Sequence, residues 1–324
     1  VPMSSVRTGA AALALLAAGA AACAACAACS ASRPANLPDV TGAPGARPAI
    51  TVPDGPAPRE VRAEVLRDGA GPQVREGQVA VTDVEVRTWE GGRELLSTWG
   101  QRQPTTVSFG GERRSRTWDR ALIGRRPGSR VLMVTPAADG LVPRGDGPAP
   151  VGPADHAVLV FDVIGGYGVD QRIPPVEAEG TGGPGGARDG AAVVAVPAGQ
   201  APRVTSWGRG APKRLTVSTL AEGRGPVLQR GDVAVVQYAS WAWGRQVPYR
   251  STYAMTGPHG FVVTPDAVPP GVYEALRGVR VGSRVQIAVP ARYRPGFTRT
   301  RGGVSAPADE AVLYVMEVLD RQAR

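Results

Sequence analysis

Sliding the 324-residue sequence along itself by 154 positions brings its two halves into register. The densest match joins Ala121-Leu122 to Ala275-Leu276, Gly124 to Gly278, and Gly128-Ser129-Arg130-Val131 to Gly282-Ser283-Arg284-Val285. Upstream, the same offset pairs Pro48 with Pro202, Ala57-Pro58 with Ala211-Pro212, Gly71-Pro72 with Gly225-Pro226, Val79-Ala80-Val81 with Val233-Ala234-Val235, Trp89 with Trp243, and Ser97-Thr98 with Ser251-Thr252. Downstream it pairs Pro136-Ala137 with Pro290-Ala291, Pro153-Ala154-Asp155 with Pro307-Ala308-Asp309, and Ala157-Val158-Leu159 with Ala311-Val312-Leu313. A bias toward Ala, Gly and Arg does not generate matched Trp and Pro, so the chain reads as a tandem duplication of one domain with a single gap-free offset. Whatever fold one half adopts, the other must adopt too.

The length suits two domains of about 110 residues with connectors, each able to bury a modest core. The expected boundaries are 58–165 and 202–321. Residues 30–57 are Pro/Gly/Ala-rich, with only Ala49-Ile50-Thr51-Val52 resembling a strand, and read as a spacer. Residues 166–201 contain Gly180-Thr181-Gly182-Gly183-Pro184-Gly185-Gly186 and read as a linker without regular structure, which makes the domains beads on a string. Residues 1–29 read as a targeting segment: Arg7 supplies the positive end, and an apolar run centred on Leu13-Ala14-Leu15-Leu16 is too short to span a bilayer.

That run leads to Cys23, Cys26 and Cys29, the only cysteines in the chain, each after two alanines. A small-residue triplet before cysteine resembles a bacterial lipobox, which makes Cys23 the candidate for lipidation, with Cys26 or Cys29 as alternatives. The competing readings are a Cys-x-x-Cys-x-x-Cys ligand set, which lacks a fourth ligand, and a simple secretory signal. Localisation on the extracytoplasmic face of a membrane, or secretion, follows. The net charge of +9 is almost all arginine, Lys213 being the sole lysine. With Arg113-Arg114-Ser115-Arg116 and Arg125-Arg126 as the densest basic runs, no aromatic-flanked basic face points to nucleic acid.

Within each repeat, alternation and turn residues predict strands at about 59–67, 78–88, 105–109, 129–135 and 157–164, one short helix from Trp118 to Gly124, and a surface flap over 137–156. The second repeat follows 154 residues on. Its helix lies in Val268-Pro269-Pro270-Gly271-Val272-Tyr273-Glu274-Ala275-Leu276-Arg277-Gly278, where the prolines halt what precedes and Gly278 ends the helix. A helix of two turns cannot hold itself together and must lie on a sheet. Antiparallel strands with one such helix make an α+β arrangement. A pair of immunoglobulin-like domains is the all-β alternative, and it has no place for this helix.

The order Gly-Pro-x-x-x-x-Gly-x-x-Val-x-Val, an aromatic strand, Val-Pro-Pro-Gly-x-x-Glu-Ala-Leu, Gly-Ser-Arg, Val-Pro-Ala and a closing Val-Leu-Asp resembles the FKBP family of peptidyl-prolyl cis–trans isomerases over about 203–321, and more loosely over 49–164. Two copies behind a lipobox are similar to envelope lipoproteins of that family. The resemblance implies two tandem domains, each a curved antiparallel half-barrel wrapped around one short helix, with an apolar pocket between helix and sheet. It implies no cofactor and no metal, and proline-containing unfolded or exported polypeptides as partners. Such a pocket needs no titratable group, which suits a chain whose only histidines are His156 and His259.

Carried over residue by residue, the resemblance places the second-repeat pocket at Tyr238, Tyr249, Val268, Pro269, Val272, Tyr293 and Val315, with Arg250 where the family has Asp and His259 where it has another aromatic. The flap tyrosine falls on Pro295 in the gap-free alignment, Tyr293 being two residues away. The first-repeat pocket would comprise Val84, Leu95, Trp118 and Phe161. There the Asp position is Leu96, the wall is Arg114 and Ser115, and 137–142 holds no flap tyrosine. For Tyr238, Tyr249, Trp118 and Phe161 the alternative is a plain core aromatic. The expected function is a membrane-anchored isomerase working mainly through the second repeat; the alternative is a non-catalytic chaperone module using the same groove.

Overall fold

The computed structural model defines residues 36–109, 116–136, 155–173, 192–253, 255–293 and 310–324. The targeting segment with its three cysteines, Arg114 and Ser115, Pro295, most of the flap and the Gly-rich middle of 166–201 lie outside the described residues. Elements of the first repeat are β1 (Asp39–Thr41), β2 (Ala49–Thr51), β3 (Arg62–Arg67), β4 (Gln78–Thr88), β5 (Glu94–Ser97), α1 (Thr98–Gln101), β6 (Thr105–Ser108), α2 (Arg116–Leu122), β7 (Arg130–Pro136) and β8 (His156–Gly168). Those of the second are β9 (Val193–Ala195), β10 (Arg203–Ser206), β11 (Thr216–Ala221), β12 (Val233–Ala242), β13 (Arg250–Ser251), β14 (His259–Val262), α3 (Pro270–Leu276), β15 (Arg284–Val289) and β16 (Val312–Gln322).

The duplication is visible in the topology. The first repeat forms an open sheet in the order β3-β7-β8-β4-β5 with β6 also on β4; the second forms β11-β15-β16-β12-β13 with β14 also on β12. Every pairing within them is antiparallel. This is the expected α+β pair of half-barrels, open rather than closed, and the helices exclude the all-β alternative.

Each short helix sits where its sequence sends it. Pro270 occupies the first turn of α3, where its missing N–H would have had no partner. Val272, Ala275 and Leu276 line one face and are buried with Val285, Ile287, Tyr314 and Met316 of the sheet. The helix stops before Gly278, whose φ of 85° suits a residue without a side chain. In the first repeat Trp118, Ala121 and Leu122 of α2 pack in the same way on Val131, Met133, Leu159 and Phe161.

Three expectations need correction. The single offset of 154 fails in the last strand. Val131 pairs with Phe161 in the first repeat, whereas its counterpart Val285 pairs with Met316 in the second, so β16 matches β8 at an offset of 155. The matched Ala-Val-Leu triplets at 157–159 and 311–313 are one residue out of structural register, and one residue inverts every side chain of a strand. Val315 therefore lies on the face away from α3, with Leu313 and Trp241, and Met316 takes the place that Phe161 has in the first repeat.

The second correction concerns the supposed spacer and linker. β1 and β2 form a hairpin in the first, and β9 pairs with β10 across the end of the second. The two hairpins are themselves equivalent at offset 154. They cover the helix-distal face of their sheets: Arg130 donates to the carbonyls of Gly42, Ala43 and Ala46 at 2.9, 3.1 and 2.9 Å, while Ala192, Val194, Val204 and Trp207 pack on Trp241, Leu313 and Val315. With both faces covered, all ten residues of β12 are buried and the period-2 alternation disappears.

Thirdly, the repeats are not separate beads. They share a cluster of Val79, Val81, Ile164 and Tyr167 with Val233, Val235 and Val262, and Pro38–Arg324 forms one compact unit.

Candidate functional site

In the second repeat the sheet presents Tyr238 to the start of α3. Its backbone N–H donates to Thr252 Oγ1 at 2.9 Å, and that hydroxyl donates to Gln237 Oε1 at 2.6 Å. The first repeat repeats the device: Val84 N–H donates to Thr98 Oγ1 at 2.9 Å, and Thr98 Oγ1 to Asp83 Oδ1 at 2.7 Å. The Ser-Thr pair shared by both halves is thus a fastener for the strand that carries the site.

Around Tyr238 the structure gathers Val268, Val272, Phe261 and Tyr314, with Tyr293 packed at the margin; Pro269 is buried at the N-cap of α3. Tyr238, Val268 and Val272 are 2 %, 2 % and 0 % exposed, so the cluster is closed. Two of the expected pocket residues fall elsewhere. Val315 is on the opposite face. Tyr249 is half exposed in the turn before β13, its N–H donating to Ser240 O at 2.7 Å, and it lines an open concavity of about 550 Å³ with Ala242, Arg245, Val247, Pro248 and Glu310.

The polar margin of the cluster is Arg250 with the Tyr238 hydroxyl and His259. Burial pushes the Tyr238 phenol up to about 12, with hydrogen-bonded Arg250 pulling the other way. Burial, then the same guanidinium, pushes His259 down to about 4. Both rings are neutral at pH 7, and His259 Nε2 lies 2.9 Å from Thr256 Oγ1. The patch therefore offers shape, apolar contact and one fixed positive charge, and it has no group poised to exchange protons near neutrality. Among the described residues there is no cluster of His, Cys, Asp and Glu able to hold a metal, and no helix long and apolar enough to cross a membrane.

The first repeat is packed differently. Trp118 meets Phe161 edge-on, with ring centroids 5.0 Å apart and planes at 74°. Val84 is wholly buried beside them, and Leu95 and Leu96 close the margin. Sequence reasoning placed the first-repeat residues on one face together and missed Met316, Tyr314 and Phe261 in the second. Alternation counted back from the Asp-Arg at 320–321 carries no hint of the slip, whereas alternation from Tyr314 through Met316 to Val318 does.

The profile of the FKBP-type peptidyl-prolyl cis-trans isomerase family matches residues 225–319. The FK506-binding protein of Streptomyces anulatus is 27% identical over 118 residues, covering 36% of this chain and 94% of that protein. Among solved structures, FkpA of Escherichia coli is similar at 22% identity and a TM-score of 0.29, over 34% of this chain and 48% of that one. The three FKBP domains of wheat FKBP73 align over 82% of this chain and 95% of theirs, at 15% identity and a TM-score of 0.30. The assignment rests on the sequence matches, which span β12, α3, β15 and most of β16. The likeness to the FKBP-type peptidyl-prolyl cis–trans isomerase family is thus carried by residues 225–319, in the second repeat.

Proposed function

We propose that the second repeat catalyses cis–trans isomerisation of X-Pro bonds in exported polypeptides, at the extracytoplasmic face of a membrane to which a lipid on Cys23, or on Cys26 or Cys29, holds it. The observation that carries the reading is the family match over 225–319, which covers the residues that bring Tyr238, Val268, Pro269 and Val272 to one end of α3. Rotation about an X-Pro bond breaks amide resonance across a barrier of about 18–20 kcal/mol and takes tens to hundreds of seconds unaided. Apolar walls lower it by withdrawing water from the carbonyl and fitting the twisted amide better than either planar form. Arg250, beside the Tyr238 hydroxyl, supplies a cation to that carbonyl.

A second reading has its own support. The cluster is closed, and the family's Asp is replaced by Arg250, which favours a module that holds unfolded chains on the exposed Val247-Pro248-Tyr249 turn without turning them over. Proline-limited refolding, with this protein far below the concentration of the refolding chain, separates the two. Acceleration that falls at least tenfold in Tyr238→Phe, with Tyr249→Ala without effect on it, supports the isomerase; binding of the unfolded chain with no acceleration supports the holding module. Loss of both in a cysteine-free protein released from membranes, with activity retained in the lipidated one, would tie either role to the anchor.

A further inference from the structure

Several of the contacts between the repeats come in reciprocal pairs. Val79 and Val81 of the first correspond to Val233 and Val235 of the second, and all four meet in one cluster. Thr106 donates to the carbonyl of Pro258 at 2.9 Å. Their counterparts are Gly260 and Pro104, and these also face one another, since a first side-chain carbon at Gly260 would lie 3.2 Å from Pro104 Cβ and 2.7 Å from Val81 Cγ1. The segments that follow the last strands cross over in the same manner. Gln237 Nε2 donates to the carbonyl of Val169 at 2.8 Å, and Arg324 donates to Asp83. Asp83 matches Gln237 at offset 154, and Val169 matches Arg324 at the offset of 155 that holds from β8 and β16 onward.

A surface in which residue i meets j while the counterpart of j meets the counterpart of i is isologous, the geometry of a twofold dimer. A tether between two domains does not produce it: tethering leaves domains free to meet through unlike patches. The cluster also lies on the helix-distal face of both sheets, away from Tyr238 and Trp118, so the pairing leaves both helix-side faces uncovered by the other repeat.

We infer that this face is an association surface in its own right, whose partner is a second copy of the same domain, and that the two repeats are an intramolecular dimer held by the face, to which Tyr167 and Val169 belong, rather than by covalent continuity of the chain between them. The pairing presents both helix-side faces on one body, so a client long enough to reach both gains the effective concentration of a bivalent site.

The test cuts the full chain after it has folded. A protease site placed between Gly180 and Gly186 is cleaved, and the mass in solution is read by light scattering behind a sizing column at micromolar concentration. The expected result is an unchanged mass, both fragments eluting together, and separation into two half-sized species when Gly260→Leu is present. Gln237→Ala, which removes the bond to Val169 together with the acceptor of the Thr252 hydroxyl and a buried side chain, is expected to weaken the fragment pair severalfold without splitting it. Fragments that migrate apart after cleavage of the unsubstituted chain, folded or not, overturn the inference, as does a Gly260→Leu chain whose fragments stay together.

Discussion

The two repeats share strand order, helix and docked hairpin, yet they hold their hairpins by opposite chemistry. In the first, Arg130 is 5 % exposed and binds Asp162 at 2.7 and 2.8 Å as well as three hairpin carbonyls. The hairpin returns Gly45 N–H to Asp162 at 3.0 Å, and its Arg47 joins the fully buried Glu85 at 2.7 Å and also Glu94. In the second, the same ground is taken by Trp241, Leu313 and Val315, with Trp207 tilted against Trp243, ring centroids 5.1 Å apart and planes at 57°. The equivalent ion pair is Arg284 with Glu317 at 2.9 Å, and the hairpin's polar hold comes from Gln286, whose Nε2 donates to Ala192 O at 2.9 Å. Glu317 instead accepts Ile173 N–H at 3.0 Å from the segment leading out of the first repeat. The hairpin thus keeps its place in both repeats although the side chains that hold it differ: a guanidinium meets its carbonyls in the first, and indoles and aliphatic carbon pack on it in the second.

That contrast can be broken most sharply at the arginines. Arg130→Ala strands Asp162 and three carbonyls in a buried place, and is expected to cost about 3–5 kcal/mol. Arg284→Ala, whose Glu317 keeps Ile173 N–H, is expected to cost about half as much. Urea unfolding of the two variants measures the difference, and equal losses would mean that the hairpin is not what Arg130 secures.

A smaller asymmetry is set by pH. His259 is held near 4 in the folded protein against about 6.5 unfolded, so the unfolded chain binds the extra proton first. Its contribution to stability is complete above about pH 6.5 and drains away as pH falls toward 4. Between pH 7 and 5 this amounts to roughly 1–2 kcal/mol. Thr105 stands at the equivalent place in the first repeat, so the loss belongs to the second alone. Unfolding midpoints of wild type and His259→Gln should converge at acid pH, and parallel curves would remove His259 from the account. The smallest effect is where the repeats should agree. Thr98→Val and Thr252→Val each remove the acceptor of one strand N–H, at about 1 kcal/mol apiece, and unequal losses by calorimetry would show that the fastener is not shared.

How much of this was legible in the sequence follows from how each element earns its stability. The long strands and the helices announce themselves through alternation and through Pro and Gly at their ends, and β4, β7, α2 and α3 lie within a few residues of the predicted spans. The hairpins do not. Strands of three residues among Pro and Gly have no period to read, and they are ordered by Arg130 or Trp241 from far along the chain. Val315 was misplaced because three identical letters, Ala-Val-Leu, outweighed a one-residue insertion, whereas the hydrogen-bonded register of Val285 with Met316 leaves no choice. Tyr238, Val268, Pro269 and Val272 were found together because one helix start and one strand suffice to place them; Tyr249 depended on a turn whose course the sequence does not encode in any pattern.

Arg324 reaches back 241 residues to Asp83, a buried carboxyl whose pKa is raised first of all by burial. Ribosomes add about 5–20 residues per second, so on the order of ten to fifty seconds separate the appearance of the acid from that of its cation. During that interval the first repeat exists as an unfinished body, its β4 carboxyl more readily protonated and its valine face open. The order in which the chain emerges therefore makes completion of the earlier half conditional on delivery of the later one, and a product that stops short of Arg324 leaves Asp83 with the Thr98 hydroxyl and without this cation at the seam.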